Sequence, residues 1–258
     1  MMNASPDVRR LLDLSEKSVV ITGASGGIGA GIARRFAQAG ARITVHYRGG
    51  KAEANALIAE LGSNAIALHA DVTDENAVGA MMDEVVDRFG GIDVLINNAA
   101  LQTKGDFLTL DPSHFDRVVR ANVGGIFRCS QAAARRMGDR GGVIVNVASI
   151  SGLEPAFSHS HYCASKAAVI MLTKAAALEL GPKGIRVNAV APGLIWTEGL
   201  KENWPEGVVR WLAHAPLGRV GTSDDVADAC LFLSSPASRW ITGTTITVDG
   251  GVTTHPSY

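Results

Sequence analysis

A tyrosine and a lysine one helical turn apart are the side chains of this 258-residue sequence best suited to proton transfer. Tyr162 and Lys166 lie in the segment YCASK, and their i,i+4 spacing places them on one face of a predicted helix. A free phenol titrates near about 10, and a nearby cation favours the phenolate and lowers the pKa. With Lys166 nearby, Tyr162 is predicted to give or take a proton near neutral pH. The pair alone, however, is more typical of an ordinary surface helix.

Two further polar side chains could join that pair. Ser149 directly follows a predicted strand, at the sheet edge where α/β proteins bind ligands. Its hydroxyl could bind a substrate oxygen and stabilise developing charge; a turn-capping serine is the alternative, and Ser151 is a nearby competitor. Asn122 lies within a helical pattern although asparagine is a mediocre helix former. It is predicted either to bind a water that links Lys166 to solvent or to hydrogen-bond its own backbone.

A glycine-rich turn follows the first predicted strand and precedes a helix. The segment from Thr22 to Gly29 reads TGASGGIG. Glycine is needed in such a turn because a Cβ would block the close approach of the backbone to a pyrophosphate at the helix N-terminus. The spacing differs from the common GxGxxG, and a plain strand-to-helix turn is the alternative. Its position between strand and helix favours a dinucleotide site.

The end of the second predicted strand favours NADP over NAD. An acidic side chain there would accept the ribose hydroxyls of NAD and repel a 2′-phosphate, but the sequence reads VHYR and offers Arg48 instead. A solvated loop arginine is the alternative, and Lys51 or Arg42 could bind the phosphate in its place. Asp71 ends the third predicted strand and could reach the adenine edge.

Short apolar runs alternate with longer helical patterns, which is typical of βαβ units. This pattern predicts an α/β fold with a single Rossmann-type, doubly wound parallel sheet of about seven strands and helices on both faces. The predicted strands are Ser18 to Thr22, Arg42 to Tyr47, Ala65 to His69, Asp93 to Asn97, Val143 to Ala148, Arg186 to Ala191 and Thr245 to Val248. The predicted helices are Ile28 to Ala39, Ala52 to Leu61, Glu75 to Phe89, Ser113 to Met137, His161 to Leu180 and Ser223 to Leu233.

Composition narrows the function further. A net charge of −1 provides no basic excess for nucleic acid, and no uncharged apolar stretch reaches the ~18 residues of a membrane span. Three widely spaced cysteines form neither a disulfide framework nor a CxxC metal site, which favours a reducing cytoplasm. His159 and His161 have no matching acid or thiol nearby, so no metal site is predicted.

The chain resembles a classical short-chain dehydrogenase/reductase from about Leu14 to Gly251. The resemblance rests on several motifs in order: the TGASGGIG turn, Asp71, the NNAA segment at 97–100, Asn122, Ser149, YCASK, Pro192-Gly193 and Asp249-Gly250-Gly251. It implies a catalytic tetrad of Asn122, Ser149, Tyr162 and Lys166. The predicted cofactor contacts are Gly23, Ser25, Gly27, Ile28, Gly29, Tyr47, Arg48, Asp71, Val72, Asn98, Tyr162, Lys166, Pro192, Gly193, Ile195 and Thr197.

The sequence departs from the family pattern in two places. Ala100 replaces the glycine that usually closes the NNAG element, and Gly26 stands where many NADP-preferring members carry a basic residue. Arg48 is therefore left as the main predicted determinant of NADP preference.

The resemblance implies an oxidoreductase that transfers a hydride between NADP(H) and a carbonyl or secondary alcohol. A 3-oxoacyl carrier-protein reductase is one alternative, although Leu178 stands where such enzymes often carry a basic residue. A sugar or small-ketone dehydrogenase that uses NAD is another, and a non-catalytic cofactor-sensing protein is a third.

Residues 1–258 are predicted to form one dinucleotide-binding and catalytic domain. The segment 194–219, which holds three of the four tryptophans, is the predicted substrate-covering lid. A small-molecule substrate is expected, and association into dimers or tetramers is implied by the resemblance.

Overall fold

A computed structural model of the chain describes residues 7–254, so residues 1–6 and 255–258 of the predicted domain lie outside it. Within the described range, seven strands form one sheet. They are β1 Ser18–Ile21, β2 Arg42–Tyr47, β3 Ala65–His69, β4 Val94–Asn97, β5 Gly142–Val147, β6 Ile185–Pro192 and β7 Thr245–Val248. The α-helices are α1 Gly27–Gln38, α2 Lys51–Leu61, α3 Glu75–Phe89, α4 Pro112–Val119, α5 Gly125–Met137, α6 Ser160–Leu180, α7 Leu200–Asn203, α8 Pro205–His214 and α9 Ser223–Ser234.

The sheet is parallel throughout, with the strand order β3-β2-β1-β4-β5-β6-β7. The chain moves outward from β1 to β3 and then returns to place β4 on the other side of β1. This reversal opens a crevice outside the carboxyl ends of β1 and β4, which is where sheets of this kind bind ligands.

Helices cover both faces of the sheet. One apolar cluster joins the sheet to α1, α2 and α9 through side chains such as Phe36 and Leu57, and a second joins it to α3, α5 and α6 through Met82 and Cys129. Strands buried on both faces read as continuous apolar runs, and every residue of β1 is buried. The predicted α/β fold class is confirmed.

The predicted helix from Ser113 to Met137 is interrupted. A π-helical turn, Arg120–Gly124, separates α4 from α5, and Asn122 lies within it. A π turn carries one extra residue and occurs often at functional sites. Here it coincides with an asparagine whose side chain bonds to other parts of the chain.

The predicted lid contains two helices, α7 and α8, of which α8 begins at Pro205. Proline suits this first helical position because its missing N–H has no partner there in any helix. Between residues 7 and 254, none of the helices combines the length and the hydropathy needed to span a bilayer.

Candidate active site

The glycine-rich turn packs too tightly for side chains at two positions. Gly23 has a φ of +64°, and a Cβ there would lie 2.9 Å from the Ala99 Cα. A Cβ on Gly29 would collide with the Gly23 carbonyl oxygen and lie 2.6 Å from the Asn98 Nδ2. No side chain caps the N-terminus of α1 and its first turn holds no acid, so its free N–H groups can donate hydrogen bonds to an anion.

Substituting Gly29 with alanine is expected to lower the free energy of unfolding by about 1–3 kcal/mol, because the added methyl group must displace backbone atoms. Gly26→Ala is the matched control: Gly26 has an extended backbone, and no atom lies within 4 Å of an added Cβ. Chemical denaturation of both variants checks the prediction. Equal stabilities for the two would contradict this packing.

Three side chains hold the turn in place. The Asn98 Nδ2 donates to the carbonyl oxygens of Thr22 and Gly23 at 3.0 and 2.9 Å. The Thr22 Oγ1 accepts hydrogen bonds from the backbone N–H groups of Asn98 and Ala99. The Gly23 N–H donates to the Nδ1 of His46 at 3.0 Å. These bonds join the ends of β1, β2 and β4 into one rigid edge.

His46 is neutral in this position. Its Nδ1 accepts the Gly23 N–H, so the ring proton lies on Nε2, which is 3.0 Å from the Ala70 carbonyl oxygen. Burial lowers the pKa of His46, which favours this neutral form.

Ser149, Tyr162 and Lys166 come together at the carboxyl end of β5. Ser149 follows the strand, and the other two lie in the first turns of α6. The Lys166 Nζ lies 5.6 Å from the centroid of the Tyr162 ring and donates to the Val147 carbonyl oxygen at 2.7 Å. The Ser149 side chain hydrogen-bonds to Tyr162, and its Oγ also accepts the Ser151 N–H at 3.1 Å. Ser149 is therefore both a turn cap and a neighbour of the phenol.

Burial sets the pKa values of this pair. Tyr162 is 7% exposed and Lys166 is 2% exposed. Burial raises the pKa of Tyr162, and the hydrogen bond with Ser149 partly opposes that rise. Burial lowers the pKa of Lys166 to about 8. The sequence predicts a lowered pKa for Tyr162, but among the protein's own groups this pKa is raised, because burial of the phenol outweighs its hydrogen bond with Ser149.

The Asn122 side chain does not hydrogen-bond its own backbone but joins two other parts of the chain. Its Oδ1 accepts the Leu101 N–H at 2.7 Å, and its Nδ2 donates to the Leu101 carbonyl oxygen at 2.9 Å and to the Ser165 Oγ at 3.0 Å. The side chain therefore pins the segment after β4 to the helix that carries Tyr162.

One cavity of about 760 Å³ connects the glycine-rich turn with Tyr162. The predicted site residues that line it are Gly23, Ser25, Ile28, Arg48, Val72, Asn98, Ser149, Tyr162, Lys166, Pro192, Gly193, Ile195 and Thr197. Gly27, Gly29, Tyr47, Asp71 and Asn122 are not part of its lining.

Comparison with known proteins decides the family. A family profile described as "Enoyl-(Acyl carrier protein) reductase" matches residues 23–253. The 3-oxoacyl-[acyl-carrier-protein] reductase of Staphylococcus aureus is 40% identical, covering 92% of this chain and 98% of that protein. The chain is a short-chain dehydrogenase/reductase.

Other members differ in their named substrates. The L-rhamnose 1-dehydrogenase (NAD(P)(+)) of Azotobacter vinelandii is 41% identical, covering 93% of this chain and 97% of that protein. A crystal structure of gluconate 5-dehydrogenase from Burkholderia cenocepacia, in complex with NADP and tartrate, superimposes with a TM-score of 0.90 at 33% identity, covering 97% of this chain and all of that one. The chain is accordingly an NAD(P)-dependent oxidoreductase that acts on hydroxyl and carbonyl groups.

The fold suits the dinucleotide of a short-chain dehydrogenase/reductase. The closely packed Gly23 and Gly29 leave backbone rather than side chains at the α1 N-terminus. Asp71 lies beside this region, but its Oδ1 accepts from the N–H and Oγ1 of Thr73, and these bonds lower its pKa. Tyr47, another predicted cofactor contact, packs edge-on against His69, with 5.5 Å between the ring centroids.

His46 and Lys104 are among the cavity residues that sequence reasoning did not select. His46 directly precedes Tyr47 at the end of β2, and that position was the available signal. Lys104 lies in a segment without a repeating pattern, so only the fold brings it to the cavity. The His159-His161 pair binds within the protein: the His161 Nε2 lies 2.9 Å from the Thr103 Oγ1, and the His159 Nδ1 lies 2.6 Å from the Phe157 carbonyl oxygen.

Proposed function

We propose that this protein is an NADP(H)-dependent carbonyl reductase or alcohol dehydrogenase with Tyr162 as its proton-transferring residue. The observation that carries the proposal is the placement of Ser149, Tyr162 and Lys166 on the wall of the same cavity as the glycine-rich turn. The glycine-rich turn at one part of the cavity suits the phosphates of a dinucleotide. The buried phenol of Tyr162 at another part suits a reacting carbonyl.

Each side chain of this group has a role that follows from its position. The nicotinamide supplies the hydride during reduction and takes it during oxidation. Tyr162 donates its phenolic proton to the substrate oxygen, which becomes the hydroxyl of the alcohol, and in oxidation the phenolate recovers that proton. The Ser149 hydroxyl stabilises charge on the substrate oxygen. Lys166 stabilises the phenolate and is placed to bind ribose hydroxyls. Asn122 fixes the loop and helix around them.

Arg48 supports the preference for NADP. It is exposed, lines the cavity at the end of β2 and lies close enough to Asp71 to help lower the pKa of that carboxyl. Of the residues that the structure describes, no acidic side chain that would repel a 2′-phosphate lines the cavity.

Arg48→Gln is expected to weaken NADPH binding by about 10–100-fold, because a charge-assisted hydrogen bond to the 2′-phosphate is lost. NADH binding is expected to change less than about twofold, because NADH lacks that phosphate. Lys51→Gln is the matched control, because Lys51 begins α2 and does not line the cavity. Titration of each variant with both cofactors measures the effect. A larger loss in the Lys51 variant would transfer the phosphate contact to that residue.

The segment 194–219 is proposed to act as the substrate-covering lid. Thr197, Leu200, Trp204 and Trp211 from this segment line the cavity, and Ile195 pairs with Gly221 at its base. Helices α7 and α8 thus lie over the space next to Tyr162.

Measuring NADPH and NADH consumption with ketones, keto sugars and 3-oxoacyl thioesters tests the proposal. Turnover of ketones or keto sugars with NADPH is expected. Turnover confined to 3-oxoacyl thioesters would instead favour a 3-oxoacyl carrier-protein reductase. The 40% identity to a 3-oxoacyl-[acyl-carrier-protein] reductase supports this second candidate function. Cofactor binding with no turnover of any compound would refute the enzymatic proposal.

A further inference from the structure

The cavity carries one cation that the proposed chemistry does not use. Among residues 7–254, the lysines and arginines in its lining are Arg48, Lys104 and Lys166, and no aspartate or glutamate of this range lines it. Arg48 serves the cofactor phosphate and Lys166 serves the phenol. Lys104 is left facing a cavity without a neutralising acid.

An indole ring, rather than a carboxylate, contacts Lys104. The Lys104 Nζ lies 5.7 Å from the centroid of the Trp204 ring, and the described residues provide it with no ion pair. Arg210 approaches the same ring, 5.9 Å from its centroid. Two cations therefore approach one lid tryptophan, and Lys104, which also lines the cavity, makes this part of it attractive to an anion.

Acidic residues do occur nearby, but outside the cavity. Asp106 follows Lys104 by two positions and accepts the Ser158 hydroxyl at 2.7 Å. The lid carries Glu198, Glu202 and Glu206, which are exposed and do not line the cavity. The charge of Lys104 is thus available to a ligand.

Two glycines leave room for the cavity tryptophans Trp204 and Trp211. A Cβ on Gly207 would overlap the Trp204 ring, and a Cβ on Gly193 would overlap the Trp211 ring. The Trp211 Nε1 also donates to the Arg219 carbonyl oxygen at 3.3 Å. Gly207 thus leaves room for the Trp204 ring, which lines the cavity with the Lys104 Nζ over it.

We infer that the substrate of this protein carries a carboxylate and that Lys104 binds it. The inference rests on the proposed function, because it assigns the remaining lysine of that site to the substrate. A single lysine matches a single negative charge, so the substrate class is keto acids and the corresponding hydroxy acids, sugar acids among them. Lys104 is a specificity-determining residue here and takes no part in proton transfer.

The test compares substrates that differ only in charge. NADPH-dependent reduction of acetoacetate and 4-oxopentanoate is measured beside their methyl esters, in the wild-type protein and in Lys104→Gln and Lys104→Arg. The glutamine variant is expected to lose about 10–100-fold in kcat/KM for the acids, mainly through KM, and less than about twofold for the esters. The arginine variant is expected to retain most activity. Lys201→Gln, a lid lysine outside the cavity lining, is the matched control.

Each outcome decides between the two proposals. Reduction of the esters as efficiently as the acids by the wild-type protein, or an equal loss on both in Lys104→Gln, would overturn the carboxylate inference and leave the proposed function standing. Absence of NADPH consumption with every ketone, thioester, acid and ester would refute the proposed function, and the carboxylate inference with it.

Discussion

Replacing Tyr162 with phenylalanine is expected to lower kcat by about 100–10,000-fold, the contribution typical of a general acid or base. The variant lacks only the hydroxyl that donates the proton. Tyr162 is buried beside Ser149 and Lys166, and its phenol is the group of the cavity wall that we propose to transfer the proton. Steady-state assays in both directions measure the loss.

Cofactor binding separates a chemical defect from a structural one. NADPH affinity and the free energy of unfolding should stay close to those of the wild-type protein, because the glycine-rich turn and Arg48 are unchanged. Tyr47→Phe is a useful control, since Tyr47 lies outside the cavity lining. Normal turnover in Tyr162→Phe would remove this residue from the mechanism.

Lys166→Met is expected to lower turnover by about 100–1,000-fold, the range observed when a preorganised electrostatic contact at a reacting centre is removed. Methionine approximately preserves the volume of the side chain but leaves no charge near Tyr162. It also leaves the Val147 carbonyl oxygen without the hydrogen bond that Lys166 donates at 2.7 Å. The assay is the same as for Tyr162→Phe.

The same variant makes a prediction about stability and pH. Burial lowers the pKa of Lys166 to about 8 in the folded protein, below its value of about 10.4 in an unfolded chain. The unfolded state therefore binds more protons between these values, and this group makes the free energy of unfolding rise with pH in that window. The wild-type protein should gain roughly 3 kcal/mol relative to Lys166→Met from pH 8 to pH 10.4.

Denaturant unfolding of both proteins at several pH values measures this difference. Parallel stability curves across the window would show that Lys166 keeps an ordinary pKa in the folded state. In that case the lysine would be better hydrated than its burial indicates.

Much of the fold could be predicted because its signals are local. β2, β3 and β7 have the predicted bounds, and the ends of the other strands differ by at most one residue, since short apolar runs end where the chain leaves the sheet. The π turn at Asn122 could not be predicted. It depends on hydrogen bonds to Leu101 and Ser165, which are distant in sequence.

The candidate site divides in the same way. Ser149, Tyr162 and Lys166 were predicted from their order along the chain, and the fold brings them to one cavity. The direction of the Tyr162 pKa shift was not predicted correctly, because it depends on burial by surrounding elements rather than on the i,i+4 spacing. Lys104 was missed for a related reason: its contact with Trp204 joins two loops a hundred residues apart in the sequence.

Deuterium transfer tests the central claim most directly. NADPH carrying deuterium at both C4 positions of the nicotinamide is incubated with the protein and a ketone that it consumes, and the alcohol product is examined by mass spectrometry and NMR. We expect one deuterium on the carbinol carbon, a hydroxyl proton taken from solvent, and loss of the product in Tyr162→Phe. A product without the label at that carbon, or no alcohol from any carbonyl compound in the presence of bound NADPH, would contradict hydride transfer by this protein.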